Sequence, residues 1–188
     1  MCICKRFIKG SILKCSFFLL HVFTFIPNER GGCLNNLFEL DEQLIKLQYD
    51  ASSREEVTTY LAEQLEAGGY IKSSFLPAVL EREKTYPTGL PLATFGVAIP
   101  HTDPEHVNKP AISVATLKEP VMFHKMGSPD EIVLAKIVFV LAISEPSKQL
   151  VMLEKLMTLF RKEEVMTKLS DMTSYEEAVA LLQKELNQ

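Results

Sequence analysis

Apolar and polar positions change period along this chain in a way that predicts alternating strands and helices. Within residues 44–49, Ile45, Leu47 and Tyr49 share one side, the two-residue period of a strand. Ser53 with Glu56 three positions on has the form of a capping box. Val57, Tyr60, Leu61 and Leu65 then recur at helical spacing until Gly68 and Gly69. A second helix opens at Ser73 or Ser74, turns Phe75, Leu76, Val79 and Leu80 inward and runs out near 82–85. Pro77 stands close enough to its start to be accommodated. Residues 87–91, with Pro87, Gly89 and Pro91, predict an irregular loop, and a short apolar strand, 97–99, follows and stops at Pro100.

Asp103 and Pro104 have the form of an N-cap and a first helical residue. Residues 111–117 predict a third strand, 121–123 a short one and 127–130 a loop. Residues 136–143 are almost continuously apolar, which fits a strand buried on both faces. A long helix is expected from Ser147 through Phe160, with Leu150, Leu153, Leu156, Met157 and Phe160 as its stripe and the methionine as core filler. Residues 163–169 predict a shorter helix. Ser174 with Glu177 opens a last one, to about 186. Strands and helices interleave, so the expected class is an α/β sandwich around a mixed sheet.

The 188 residues suit one domain of ordinary size with a sizeable core, and 47% apolar and 23% charged residues are globular values. Twenty basic residues are scattered among 24 acidic ones for a net charge of −4, which leaves no electrostatic footprint for nucleic acid. Cys2, Cys4, Cys15 and Cys33 all precede residue 34, so no disulfide framework or cysteine metal site holds the rest. Residues 1–36 stand apart. Lys5, Arg6, Lys9 and Lys14 precede an apolar run, 15–27, of signal-peptide length and shorter than a membrane span of about 20 residues. Three readings stay open for this hydrophobic extension: an export or membrane signal, a packed accessory segment, or upstream sequence translated from a start chosen too early. The main domain is expected over 37–188.

The chemistry concentrates where the 97–99 strand ends. His101 follows Pro100 directly, so its ring is carried by a rigid strand and presented at an edge. A helix start at Asp103-Pro104 would add backbone N–H groups and partial positive charge suited to an anion. A histidine beside an anion site is a candidate phosphoryl carrier, and a structural loop histidine is the alternative from these residues alone. Carrying phosphate on histidine needs a neutral imidazole nitrogen to attack and an acceptor to hold the other ring nitrogen. It also needs cationic or N–H donors for the phosphoryl oxygens, and the ring is expected to stay exposed because donor and acceptor are both protein surfaces.

Together with the run Glu81-Arg82-Glu83-Lys84-Thr85-Tyr86-Pro87-Thr88-Gly89-Leu90, the sequence Ala98-Ile99-Pro100-His101 resembles the IIA components of the sugar phosphotransferase system. The likeness is to the type-2, mannitol/fructose class and within it to the galactitol-specific branch, and it spans roughly residues 37–186. It implies a three-layer α/β sandwich, a mixed sheet flanked by helices. It also implies a phosphohistidine at His101 and a phosphate-stabilising arginine at Arg82. In such a protein phosphate would come from the phosphocarrier HPr and pass to a cysteine of a IIB component that serves a membrane IIC transporter. The cargo would be a hexitol such as galactitol, with no direct sugar binding and no cofactor. Mannitol-type relatives carry a second active-site histidine in the turn that opens the helix after the 136–143 strand. Here that turn has no histidine, and Lys148 stands as the expected substitute, with positive charge to offer. His106, five residues after His101, is a candidate donor or tautomer holder, and Thr102 a candidate donor through its hydroxyl or backbone N–H. Proteins of this family act in the cytoplasm, which favours the third reading of residues 1–36. IIA-like domains also serve as regulatory modules, in which phosphorylation of the histidine would control partner binding.

Rival chemistries find less support. Asp103 is expected as a cap rather than a catalyst, and His124, at a strand end, as structural. A metal held by His101, Asp103, Glu105 and His106 would need two rings on one face, and an offset of five residues does not place them there. No GxxxxGK[ST], GxGxxG or GxSxG pattern occurs, so nucleotide use and the common hydrolase arrangement have no footing.

Overall fold

In the computed structural model the described residues are 38–187, and the expectations for 1–36 lie outside them. The order of elements is β1 (Ile45–Tyr49), α1 (Arg54–Ala67), α2 (Phe75–Thr85), β2 (Gly89–Pro91) and β3 (Gly96–Ala98). Then come β4 (Ala111–Lys125), β5 (Ser128–Ala142), α3 (Pro146–Phe160), α4 (Glu163–Asp171) and α5 (Tyr175–Leu186). The sheet is mixed. β4 and β5 pair antiparallel, β1 runs parallel to β4, β3 parallel to β5, and β2 antiparallel to β3. The start of β2 reaches back to the end of β4 through the pair Gly89–Lys125, so β4, β5, β3 and β2 form a closed ring.

The two faces of the sheet carry different side chains. Ile112, Val114, Ile137, Phe139 and Leu141 project toward α3, α4 and α5, where Met152, Leu156, Leu159, Leu169 and Leu182 meet them. Ala98, Ala111, Ala115, Val138 and Val140 face the other way and let α1 and α2 come close with Val57, Leu61, Leu65, Phe75 and Val79. Three layers result, with β5 buried on both faces from Ile137 to Ala142 as its unbroken apolar run requires.

Caps form much as their residues dictate. Ser53 Oγ accepts from the Glu56 N–H at 3.1 Å, while the Glu56 carboxylate takes the N–H and hydroxyl of Ser52, one residue before the cap. Ser174 Oγ accepts from the Glu177 N–H at 3.3 Å.

Several expectations need correction. The expected loop at 87–91 contains a strand, because Gly89 and Leu90 are paired with Ala98 and Val97 by the tertiary fold rather than by propensity. The two strands expected at 111–117 and 121–123 are one. Between the pairs Thr116–Ile137 and Val121–Ala135 the β4 strand carries extra residues, and Pro120 lies in that bulge, where a missing N–H does no harm. The loop at 127–130 shrinks to Met126-Gly127, with Gly127 at φ +77°, before β5 begins. Asp103 and Pro104 open only a three-residue 3₁₀ turn, Pro104–His106. Asp103 makes no side-chain cap bond, so no helix N-terminus offers an anion site there. The chain turns away because Val107 bridges to Ile71. Along α3, Leu150 is 64% and Met157 38% exposed, and the core stripe is Met152, Leu156, Leu159 and Phe160. Apolar residues surround much of that helix, so periodicity alone gives several possible stripes.

Gln48 in β1 adopts φ +51°, beside an irregular register between Lys46 and Tyr49. Its N–H donates to Thr116 Oγ1 at 2.9 Å and its side-chain amide to the Ser170 carbonyl at 2.6 Å. Gly96 marks the closest approach of β3 to β5. A Cβ there would lie 2.2 Å from Val133 Cγ1 and 2.7 Å from the Leu134 carbonyl oxygen. Gly96→Ala is therefore expected to lower the denaturation midpoint with the slope unchanged, at a cost of about 1–3 kcal/mol from overpacking.

Candidate functional site

β3 is three residues long, yet it is held on both sides, by β2 and β5. The hold continues past its end. The Leu141 N–H donates to the Pro100 carbonyl at 3.0 Å, and His101 bridges to Leu141. Proline ends the regular strand, and the next side chain turns into a cavity of about 490 Å³. Arg82, Tyr86, Thr88, Met126, Gln149 and Met157 are among the residues that line it with His101.

His101 is 7% exposed, against the expectation of an exposed ring: the parallel bridge to Leu141 holds it in the sheet, and it faces the cavity rather than the open surface. Its Nδ1 lies 2.7 Å from the Ile99 carbonyl oxygen. A carbonyl only accepts, so Nδ1 carries the proton and Nε2 keeps its lone pair. Burial, first, and then the charge of Arg82 push the pKa of this imidazole below its ordinary value, against opposing effects of the Ile99 hydrogen bond and Asp103. The unfolded chain therefore binds the proton more readily, and this group's contribution to stability falls as pH drops below about 6.5. For the same reason the neutral ring persists into more acidic solution than an ordinary histidine would allow. The His101 resonances in a pH titration followed by NMR are expected to move with a midpoint below about 6.5.

Arg82 stands in the last turn of α2, with its guanidinium 5.8 Å from the centre of the Tyr86 ring. It borders two hollows. One holds His101; the other, of about 530 Å³, is lined by Thr102, Asp103 and His106 among others. Arg82 and His101 are thus brought together, while Thr102 and His106 line the far side of the arginine. His106 is engaged locally, with Nδ1 2.9 Å from Ser74 Oγ and Nε2 3.4 Å from Glu105 Oε1. The expected place of His106 as tautomer holder is filled by the Ile99 carbonyl. Lys148 bonds to Glu145 at 2.6 Å and does not line the His101 cavity; its neighbour Gln149 does. Gln149, Leu153 and Met157, four residues apart on α3, form one face over the cavity. His124 Nδ1 lies 2.6 Å from the Pro129 carbonyl and braces the β4–β5 hairpin.

Two residues were not legible as site components. Gln149 stands one residue beyond the expected Lys148, and its four-residue spacing from Leu153 and Met157 is the signal that marks it. Glu83 stands in the charged run 81–84, where nothing in the sequence sets it apart. It is buried, and its carboxylate accepts from the Thr88 N–H at 2.9 Å and the Thr88 hydroxyl at 2.8 Å. Burial raises its pKa, against the effect of these bonds and of Arg54 and Arg82.

Known proteins share the sequence and the fold that carry this geometry. The chain is 31% identical over 153 residues to the mannitol-specific EIICBA component of the phosphotransferase system of Klebsiella pneumoniae, which covers 80% of this chain and 23% of that protein. It therefore spans about a quarter of that relative's length. The galactitol-specific EIIA component of Escherichia coli K12 is 28% identical over 100 residues, 53% of this chain and 66% of that one. The solution structure of the E. coli mannitol IIA enzyme in complex with phosphorylated mannitol IIB superposes with a TM-score of 0.63. Identity there is 28%, over 79% of this chain and 97% of that one. Mannitol and galactitol relatives are thus both similar, and the branch is not narrowed to galactitol. The family described as phosphoenolpyruvate-dependent sugar phosphotransferase system, EIIA 2, matches residues 39–185, most of the chain, and with the mixed sheet in agreement the chain belongs to that family.

Proposed function

We propose that this chain is a cytoplasmic phosphoryl carrier that accepts phosphate on His101 Nε2 from phospho-HPr and hands it to a IIB cysteine. The observation that carries the reading is the hydrogen bond from His101 Nδ1–H to the Ile99 carbonyl, which leaves Nε2 as the nucleophile beside Arg82. In the first step the Nε2 lone pair attacks phosphorus and the bond to the donor imidazole breaks, with its electron pair left on the donor nitrogen. The ring of His101 becomes positive, and the Ile99 carbonyl steadies its Nδ1–H. Arg82 takes the charge of the phosphoryl oxygens with paired donors. In the second step a thiolate attacks phosphorus and the electron pair of the P–N bond returns to Nε2. The amide of Gln149 is a neutral donor at the same cavity, in place of the second histidine of the mannitol-type relatives.

The relatives named for mannitol and galactitol support a hexitol-type system, and the neighbour solved with its IIB partner supports a IIB component as acceptor; HPr as donor and a IIC transporter downstream complete the proposal. Among the described residues no helix is long and apolar enough to cross a membrane. The test is incubation with phosphoenolpyruvate, enzyme I and HPr. Acid-labile, base-stable phosphate is expected on the chain, and then its transfer to a hexitol IIB. No label would overturn the proposal. Label without transfer to any hexitol IIB would favour a regulatory module.

A further inference from the structure

His101 does not hold its tautomer through Ile99 alone. The Ile99 carbonyl that accepts the Nδ1 proton belongs to a residue whose own N–H donates to the Thr88 carbonyl at 3.3 Å. Thr88 is 1% exposed, and both its N–H and its hydroxyl donate to the Glu83 carboxylate. A buried carboxylate on α2 is thereby joined to the His101 ring by hydrogen bonds through Thr88 and Ile99. Arg82 and Glu83 are neighbours on the helix, about 100° apart. One side chain reaches the cavity while the other is sealed beneath it.

We propose that Glu83 is a positioning residue for His101, acting through Thr88 and Ile99 to keep the imidazole proton on Nδ1 and the lone pair on Nε2. Nothing in the packing of the core calls for a carboxylate at this position. An apolar side chain would fill the space beneath Thr88 but would leave the Thr88 N–H and hydroxyl unpaired. The carboxylate takes the Thr88 N–H on one oxygen and the Thr88 hydroxyl on the other, so Glu83 fixes the segment 87–89 at two points. That segment lines the His101 cavity and supplies the carbonyl that holds Ile99. The charged groups acting on Glu83 are Arg54 and Arg82, and those acting on His101 are Arg82 and Asp103. Every group in the chain of bonds is buried, so solvent does not substitute for a lost link.

This inference deepens the proposed function and rests on His101 as the acceptor, but its first readout needs no phosphate transfer. The full chain, ¹⁵N-labelled on histidine, is compared with Glu83→Gln, Thr88→Val and Thr88→Ser by NMR across pH. Wild-type protein and Thr88→Ser are expected to keep the Nδ1–H tautomer of His101. Glu83→Gln and, to a smaller degree, Thr88→Val are expected to give a mixture of tautomers and a shifted His101 midpoint. The second readout is the uptake rate from phospho-HPr. A fall in kcat of about ten- to a hundredfold with KM unchanged is expected for Glu83→Gln, the size of effect that loss of an outer hydrogen-bond partner has on metal-bound histidines. If Glu83→Gln does not fold, Thr88→Val carries the same test. Unchanged tautomer and midpoint in the folded variants, even with a lowered melting temperature, would overturn the proposal and leave Glu83 a structural residue. A chain that takes up no phosphate while the tautomer shifts as expected would retain the positioning role and sink the carrier function instead.

Discussion

His101→Gln is expected to leave a folded protein that takes up no detectable phosphate from phospho-HPr. The glutamine amide has an N–H to offer the Ile99 carbonyl, so the buried acceptor keeps a partner and the stability change stays near the ordinary range of about 1 kcal/mol. What disappears is the nitrogen lone pair, since an amide nitrogen is not a nucleophile. No other group in the cavity replaces it. Arg82 is a cation, Gln149 an amide and Thr88 is bonded to Glu83, while His106 lies beyond Arg82 in a different hollow. Mass spectrometry of the intact chain after incubation with phosphoenolpyruvate, enzyme I and HPr reads the outcome directly. Phosphate still carried by the variant would move the acceptor to His106 or His124.

Arg82→Ala is expected to retain the acceptor but slow the transfer by about 10²- to 10³-fold, the usual effect of deleting a preorganised charged donor from a site where negative charge is rearranged. The guanidinium is held by the last turn of α2 and the Tyr86 ring, so it is in place before phosphate arrives. Arg82→Lys keeps the charge and loses the fork of paired donors, which predicts an intermediate rate. Arg82 also lowers the His101 pKa, second to burial, so Arg82→Ala should raise the His101 midpoint. That change runs opposite to the rate. If the arginine acted only by keeping the imidazole neutral, raising the pH would restore the variant. Rapid-quench measurements at two pH values separate the cases, and full recovery at high pH would remove Arg82 from the phosphate clamp.

Much of the fold was legible because period and caps agreed with the final packing. The alternation at 44–49, the run 136–143 and the serines at 53 and 174 each stand where local chemistry and tertiary structure ask for the same thing. β2 was not legible, since Pro87, Gly89 and Pro91 read as loop residues and the strand exists only because β3 lies beside it. Asp103 and Pro104 carried a helix signal without the apolar repeat to sustain it, and the bridge from Val107 to Ile71 prevailed.

In the site, the placement of His101 at a strand end and of Arg82 at a helix end could be read from residues in order. The partner of the second ring nitrogen could not, because a backbone carbonyl has no sequence signature. Lys148 against Gln149 turns on one residue, which on a helix is a rotation of about 100°, enough to exchange the cavity for the rim.

The closed ring of β4, β5, β3 and β2 has one more consequence, for the behaviour of this chain in crowded solution. Strand edges with unpaired backbone groups invite other chains to add on, and here the edge near His101 is closed by the Gly89–Lys125 pair. At the opposite end β1 has β4 as its strand neighbour, and the left-handed Gln48 bends it out of a regular template while its amide groups are used internally. On the proposed carrier function, a surface that meets successive protein partners is thereby kept from recruiting copies of itself through sheet extension.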